Sequence, residues 1–505
     1  MITVSSEFEN KLKNQNTPLF DKEINVNLIV ATTEAKGFGT GAFGTGAFGS
    51  PTLVETPTNF NISDYIKNLP TITESINIET EQKQGKSNNI SLMLDNSTGY
   101  FSELKNTSLF YNRKYMTRPV TVDIGLKDLP NEFIRQFSGF IKKLTLKQEK
   151  ATLQLVDKYK EFLDNEMKTK EDASDTTSDT YLVEATGKDV SWWIWALLTG
   201  YDYDTNTKLS WYETSGKLDY TQSTSNNDIN YTRYLESKTN TDNIIFNNTV
   251  GFYDNETIAE AIAEVIKVSF GSTFFSTNTG KFQWRTFAPK WLATDIPELD
   301  DSITAKNLTD VSYEVDEKYI YNQVIIKYNW NSTTEKYDDY YVLVDSTSVD
   351  LYGVKSLTIE SKLLDNSVNA EDLADRIVAR FGRGMSFVTA NTTLENMTYE
   401  LTDFIKITDK STGLENARYE IIGLTKNYEA KKGSIKCYNA EVYDLGDFNW
   451  GFYWNTNADG NGNGNDGGVE YVSPTDYDDD NYNAQSFGWF SGDTEAENLG
   501  YVYYY

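Results

Sequence analysis

The sequence predicts a mainly β protein with minor α content, divided into several domains. Short runs in which apolar and polar residues alternate recur along the chain and are rich in Thr, Val, Ile and Tyr, which is the pattern of half-buried strands. Three segments instead show the period of an amphipathic helix. At 505 residues, and with roughly 150 residues per domain, the chain is long enough for three or four domains.

The composition excludes several classes of function. The chain has 46 Lys and Arg against 75 Asp and Glu, a formal charge of −29, no histidine and a single cysteine. Without histidine there is no Ser-His-Asp or Cys-His catalysis and no His-ligated zinc or haem. One thiol excludes an intrachain disulfide framework, and the acid excess disfavours a surface that grips a phosphate backbone.

The single cysteine and the hydropathy pattern add two expectations. Cys437 stands in the alternating run SIKCYNAEV, so we predict a buried, inert thiol rather than a nucleophile. The N-terminus has no basic region followed by an apolar stretch, and no apolar run is long enough to span a bilayer. We therefore expect a chain made in the cytosol without a membrane-spanning segment.

The first domain is predicted over residues 1–166, as a β-barrel built from the strands around 24–33, 75–81, 89–95 and 119–156. A turn at 96–99 and a short polar hairpin connection at 148–150 separate the later strands. The glycine-rich repeat GFGTGAFGTGAFGS at 37–50 predicts an exposed loop. Its Phe38, Phe43 and Phe48 either fold back on their own domain or anchor a neighbouring subunit, and they are our candidate interface residues.

A second, α+β domain is predicted over residues 181–300, after a polar linker at 167–180. The segment 186–200 is predicted to be a helix that ends at a glycine, and the helix over 257–270 opens with Thr257 and Glu260 in capping-box spacing. Two short strands follow around a turn at 278–280. The segment 202–243 is rich in Asn, Thr, Ser, Asp and Tyr, and we interpret it as an irregular excursion.

The third domain is predicted over residues 310–448, as a second β-barrel with an inserted helix. That helix carries Leu373, Ile377 and Phe381 at four-residue spacing. The last residues, 449–505, are rich in Gly, Asn, Asp and Tyr and are interpreted as a tail or attachment arm.

The first and third domains share a short internal similarity. The segment FSGF around Gly139 is followed by a basic stretch and a strand, and the segment IIGL around Gly423 is followed by the same succession. With Gly139 and Gly423 in equivalent places, the similarity predicts two related small barrels in one chain.

Paired carboxylates are plentiful, as at Asp300-Asp301 and Asp338-Asp339. With 75 acidic residues in the chain and no spacing that assigns an acid and a base, we interpret such pairs as solvated surface rather than as a catalytic site.

One segment matches the EF-hand calcium-loop pattern at each specified position, with Asp459, Asn461, Asn463 and Glu470 as oxygen ligands. Against calcium, Asp466 stands where an aliphatic residue normally pairs with a second loop, and neither flank has a helical period. We favour a low-complexity tail, with no metal or cofactor.

Several segments, in order, resemble the baseplate hub or tail-tip proteins of tailed bacteriophages. The most specific is LMLDNSTGYFS at 92–102, which fits an L-x-L-D-N-x-x-G-x-F-S signature near the start of such tail hubs. The hairpin FSGFIKKLTLKQEKATLQLVDKYKEFL and the segments 257–287, 322–328, the helix to Phe381, and 401–408 are also similar. The resemblance covers about 60–445, with long gaps.

The resemblance implies a tail-hub-like fold and a non-enzymatic structural virion protein. Such hubs form a homotrimeric ring that closes the distal end of a hexameric tail tube, and each chain supplies two similar barrels. The implied partners are distal tail or tail-tube proteins, a tape-measure protein, and a fibre or spike. DNA would pass only in transit, during ejection, through a channel whose carboxylates repel it. The implied location is the virion, after assembly in the host cytoplasm.

Two other functions fit the composition. The 34 Tyr and 10 Trp would suit a glycan-binding receptor-recognition protein of a virion or cell surface. A lytic glycosidase would have to act through carboxylates alone.

Overall fold

The structure is a computed structural model that describes residues 4–14, 20–33, 53–76, 83–85, 88–111, 113–129, 132–159, 183–209, 218, 228–239, 241, 244–252, 256–286, 298–300, 308–331, 333–382, 384–439, 452–455 and 469–472. Among these residues strands outweigh helices, which confirms the prediction of a mainly β protein with minor α content.

The six described helices are α1 (Ser6–Asn14), α2 (Val190–Thr199), α3 (Tyr231–Thr239), α4 (Ile258–Ser269), α5 (Ser346–Tyr352) and α6 (Ser367–Phe381). The strands of the first half are β1 (Phe20–Thr33), β2 (Leu53–Asn61), β3 (Thr71–Ser75), β4 (Lys83–Gln84), β5 (Asn89–Asp95), β6 (Arg113–Lys114), β7 (Pro119–Leu126), β8 (Phe133–Lys147), β9 (Lys150–Val156), β10 (Val183–Asp189) and β11 (Ile245–Phe252).

The remaining strands are β12 (Ser272–Phe275), β13 (Phe282–Arg285), β14 (Glu298–Asp300), β15 (Leu308–Val315), β16 (Gln323–Asn331), β17 (Lys336–Val344), β18 (Ser356–Glu360), β19 (Ser386–Thr392), β20 (Phe404–Asp409), β21 (Leu414–Asn427), β22 (Lys432–Asn439), β23 (Phe452–Asn455) and β24 (Val469–Val472).

Two seven-stranded sheets dominate the fold, and four neighbouring strands in each follow the same order. The first sheet runs β2-β1-β7-β8-β9-β5, and the second runs β14-β20-β21-β22-β19-β15. In each sheet three consecutive antiparallel strands form a meander, and an earlier strand (β5 or β19) pairs with the last of them. This is a Greek-key order in which the first strand lies beside the fourth.

The α+β region has its own apolar core. Helix α2 is buried along its whole length and packs against α4. The small sheet β17-β16-β18 and helix α6 contribute to the same core, with Val324, Leu373 and Phe381 buried in it. The segment 323–381 thus interrupts the second sheet between β15 and β19 and packs on the α+β region, because its apolar face completes that core.

Three strands lie outside the sheet expected from their place in the sequence. Strand β3, from the first half of the chain, pairs with β21 of the second sheet, and β4 pairs with β12. Strand β14 joins the second sheet beside β20. The sheets therefore cross the sequence-continuous domain bounds that we predicted.

The helix ends follow their capping residues. Thr257 and Glu260 form the predicted capping box, and α4 starts at Ile258. Helix α2 starts later than predicted, because Asp189 caps it and residues 183–189 belong to β10. The interpretation of 202–243 as wholly irregular was wrong, since it contains α3, whose Tyr234 is 0% exposed.

Candidate functional site

The two large sheets agree in register as well as in order. Strand β8 has a one-residue bulge against β9 between Ile141 and Lys143. Strand β21 has the same bulge against β22 between Ile421 and Gly423. Because bulges are specific features of a strand pair rather than random defects, a shared bulge indicates that the two meanders are built alike.

The neighbouring strands keep the same alignment. Pro119, the first residue of β7, faces Phe140, and Phe404, the first residue of β20, faces Glu420. Phe140 and Glu420 each stand immediately before the isoleucine at the bulge of their strand. The outer strands β5 and β19 match too, with the pairs Leu92–Leu153 and Ala390–Ile435.

This register corrects the glycine equivalence predicted from sequence. Gly423 aligns with Lys143, while Gly139 aligns with Tyr419. The two glycines also have different surroundings. A Cβ on Gly139 would lie 2.2 Å from the carbonyl oxygen of Val156, whereas a Cβ on Gly423 would lie 3.3 Å from its nearest neighbour. The two similar tetrapeptides therefore occupy positions four residues apart in the aligned strands, although the strands themselves correspond.

Strand β3 joins the two sheets. It runs antiparallel to β21, with Thr71 facing Asn427 and Ser75 facing Gly423. Its Ile72 is buried in the core of the first sheet, and the next residue after the strand, Ile76, is buried in the core of the second. A segment from the first half of the chain therefore completes an edge of the second sheet.

A buried polar cluster, which we call the polar seam, lies at this junction and consists of Glu74, Gln136, Lys426 and Tyr428. Lys426 Nζ donates to Gln136 Oε1 at 3.3 Å and to the Tyr399 carbonyl oxygen at 3.1 Å. Tyr428 Oη donates to the same Gln136 oxygen at 2.6 Å. Gln136 belongs to the first sheet and its partners to the second, so these bonds fix how the sheets dock.

Burial perturbs the ionisable groups of the polar seam. It raises the pKa of Glu74 to about 7, and the nearby Lys426 charge opposes that rise. It lowers the pKa of Lys426, against the attraction of the Glu74 carboxylate. Both side chains are almost fully buried, at 3% and 0% exposure, so their charged forms lack the hydration that they have in water.

The α+β region contacts both sheets. Arg233 of α3 donates to Thr402 Oγ1 and to Asp403 Oδ1, each at 3.1 Å, next to the second sheet. On the other side, the turn between β12 and β13 reaches the first sheet, where the Ser138 backbone N–H donates to the Thr277 carbonyl oxygen at 2.7 Å. These contacts hold the two sheets and the helices together as one unit.

The signature segment 92–102 forms the end of β5 and a tight turn. Asn96 Oδ1 accepts the backbone N–H of Phe101 at 2.8 Å, and Asn96 Nδ2 donates to Ser102 Oγ at 3.2 Å. Gly99 adopts a positive φ of 72°, which favours glycine. Phe101 is buried and packs edge-on against Tyr65. The segment therefore positions an aromatic core residue.

The structure places the other predicted site residues as follows. Phe38, Phe43 and Phe48 lie outside the described residues, as do Asp459, Asn461 and Asn463 of the calcium pattern. The fourth predicted ligand, Glu470, lies on β24, which pairs with β23, and its side chain is outside the described part of the structure. Within the described ranges no group of three or more His, Cys, Asp or Glu is placed to hold a metal ion.

The predicted burial of Cys437 and the predicted exposure of Asp338 and Asp339 are confirmed, whereas the Asp300-Asp301 pair lies outside the residues whose side chains are described. Cys437 is buried in β22, and burial raises the pKa of its thiol well above the ordinary range. Asp338 and Asp339 lie exposed on β17, where they accept hydrogen bonds from the side chains of Asn331 and Asn329 at 3.0 and 2.8 Å. None of the described helices is long and apolar enough to cross a membrane.

Known proteins were compared with the chain. No family model matches the sequence, and no curated protein matches it. The similar solved structures include the tail protein from Neisseria meningitidis MC58, which is 9% identical, with 85% of this chain and 97% of that chain covered at a TM-score of 0.44. The tail protein of prophage MuSo2 from Shewanella oneidensis is 11% identical, with 83% and 99% covered at a TM-score of 0.40.

A third similar structure is the prophage tail protein gp18 from Listeria monocytogenes EGD-e, which is 10% identical, with 76% and 91% covered at a TM-score of 0.42. All three are tail proteins, the class that the signature at 92–102 resembles.

Proposed function

We propose that this chain is a structural component of a bacteriophage tail, the hub that closes the distal end of the tail tube, and that it is not an enzyme. The observation that carries the proposal is the internal repeat, in which one chain holds two sheets that share a set of four strands with the same order, register and bulge. The signature at 92–102 supports it, since its residues build the turn that ends β5.

The repeat has a geometric consequence for assembly. Three copies of a chain with two equivalent sheets present six similar surfaces, and so match a six-fold tube with repeated contacts. The partners are then distal tail or tail-tube proteins on one side and a fibre or spike on the other, with a tape-measure protein inside. The excess of acidic residues suits a channel through which DNA slides without binding.

The glycan-binding alternative gains less support from the described residues. A saccharide platform needs exposed aromatic rings. Four tryptophans, Trp192, Trp193, Trp195 and Trp284, are instead 0–4% exposed in the core of the α+β region.

Electron microscopy of the assembled particle tests the proposal. We expect three copies of the chain at the tail tip, with its two large sheets alternating around a pseudo-six-fold ring. For the purified protein, native mass spectrometry should give three times the chain mass of 57.4 kDa. A monomer that binds saccharides on an array, and that is found on fibres rather than at the tube end, would overturn the hub assignment.

A further inference from the structure

The two equivalent sheets differ at one strand edge. On β21, residues 423–427 pair with β22 on one side and with β3 on the other. The corresponding residues of β8, 143–147, pair with β9 on one side. Among the described strands none pairs with their other side. Among the described strands, the edge that β3 covers in the second sheet is therefore unpaired in the first.

The exposure of the side chains follows this difference. Leu146 of β8 is 40% exposed, whereas its counterpart on β21, Lys426, is 0% exposed. Leu144, on the same face of β8, packs against the core of the first sheet. An apolar side chain beside unpaired backbone groups invites the addition of a strand.

The opposite face of this edge is basic. Lys143 and Lys147 are both exposed, and in the described part of the chain neither forms an ion pair. In a chain with a formal charge of −29, such a basic edge suits an acidic partner strand.

Strand β15 has the complementary character. It is the last strand of the second sheet and pairs only with β19 among the described strands. One face carries the exposed apolar side chains of Tyr313 and Val315, at 45% and 59% exposure, and the other face carries exposed Asp310 and Glu314.

We propose that β15 of one copy of the chain pairs with the 143–147 edge of β8 in a second copy. Leu146 would then lie beside Tyr313 and Val315, and the two lysines would lie beside the two carboxylates of β15, where opposite charges on neighbouring strands attract. The two surfaces differ, so the contact is heterologous and closes into a ring when the rotation allows. This inference rests on the proposed trimeric hub and names the contact between its copies.

Charge reversal on the purified full-length chain tests the pairing. Lys143→Glu with Lys147→Glu, and separately Asp310→Lys with Glu314→Lys, should each weaken self-association about tenfold or more, measured by sedimentation velocity over a concentration series. The combination of all four substitutions should restore it. Lys432→Glu with Lys436→Glu is the matched control, because these exposed lysines lie on the equivalent hairpin of the second sheet and should leave association unchanged.

Cysteine cross-linking gives an independent readout, because the natural Cys437 is buried. Leu146→Cys and Tyr313→Cys variants, mixed and oxidised, should give a disulfide-linked dimer that neither forms alone, since the register that aligns the two lysines with the two carboxylates places these positions opposite each other, within disulfide range.

Three results would overturn the inference. A trimer that is unaffected by charge reversal would remove this interface and leave the hub proposal standing. A wild-type chain that stays monomeric at high concentration would remove both. An intact trimer that loses only its binding to duplex DNA in the Lys→Glu variant would assign the lysines to DNA.

Discussion

Glu74 and Lys426 lie on the same face of two paired strands that come from distant parts of the chain. Glu74 faces Leu424 and Lys426 faces Ile72, so the two charged side chains are diagonal neighbours. A single buried ion left without an opposite charge costs several kcal/mol, while a buried pair often contributes little net stability. The buried Glu74–Lys426 pair therefore determines how β3 docks on the second sheet, and it adds little net stability to the fold.

We predict that the free energy of unfolding depends on pH through Glu74. Its pKa is about 7 in the folded chain against an ordinary 4.5. Between these values the folded chain binds more protons than the unfolded chain, so stability falls as the pH rises. The fall is complete above pH 7 and is on the order of 3 kcal/mol. The Glu74→Gln side chain does not titrate. Urea unfolding of this variant over the same pH range should therefore show a loss of unfolding free energy that is smaller than that of the wild type by about 3 kcal/mol.

Glu415→Gln is the matched control for this experiment. Glu415 is exposed on the same strand as Lys426, so its substitution should keep the wild-type pH dependence. Equal slopes for Glu74→Gln and the wild type would show that the Glu74 carboxyl titrates normally and that the seam is hydrated.

A second prediction concerns the hydrogen bond between the sheets. Tyr428→Phe removes the hydroxyl that donates to Gln136 Oε1 at 2.6 Å, and a buried hydrogen bond of this kind contributes about 1 kcal/mol. In a double-mutant cycle with Gln136→Leu, we expect a coupling energy of about 1 kcal/mol in chemical denaturation. Tyr340→Phe, on a tyrosine that is 72% exposed, is the control. Additive effects of Tyr428→Phe and Gln136→Leu would show that the bond does not join the sheets.

A third prediction tests the structural role of the signature segment. Asn96→Ala leaves the backbone N–H of Phe101 without its acceptor and should lower the free energy of unfolding by about 1–3 kcal/mol. Ser97→Ala, at the next and exposed position, should change it by less than about 0.5 kcal/mol. Thermal unfolding of both variants measures the difference, and a similar small shift in the two would mean that the turn does not depend on the Asn96 side chain.

Much of the fold could be predicted from local patterns, and the exceptions have a physical reason. The start of α4 is marked by Thr257 and Glu260, which satisfy orphan backbone groups within one turn. Helix α3 carries only short local signals, namely Tyr231, Tyr234 and Leu235 at helical spacing and a cap in which Asn230 Oδ1 accepts the Arg233 backbone N–H at 3.3 Å. It depends on distant contacts such as that of the Tyr234 hydroxyl with the Ser191 carbonyl oxygen at 2.8 Å, which a helix of this length needs for its stability.

The polar seam was missed because its pairing is long-range. Thr73 and Thr425, which face each other, are 352 residues apart, and no periodicity connects them. One local signal was present, however. Leu424, Lys426 and Tyr428 occupy alternate positions of one run, and these positions face the core. A lysine at a core-facing position of a strand indicates a buried charge that needs partners.

The last prediction uses the two glycines that the sequence placed in equivalent positions. A Cβ on Gly139 would lie 2.2 Å from the backbone oxygen of Val156 and 2.6 Å from the Phe137 ring. The strands must separate to accept it, so Gly139→Ala should lower the free energy of unfolding by more than about 2 kcal/mol. A Cβ on Gly423 would lie 3.3 Å from the Lys436 Cβ and 3.7 Å from the Glu74 carbonyl oxygen, and Gly423→Ala should stay within about 1 kcal/mol of the wild type. Urea denaturation of the two variants side by side tests this difference. Equal losses would show that Gly423 is as crowded as Gly139 and contradict the different surroundings of the two glycines.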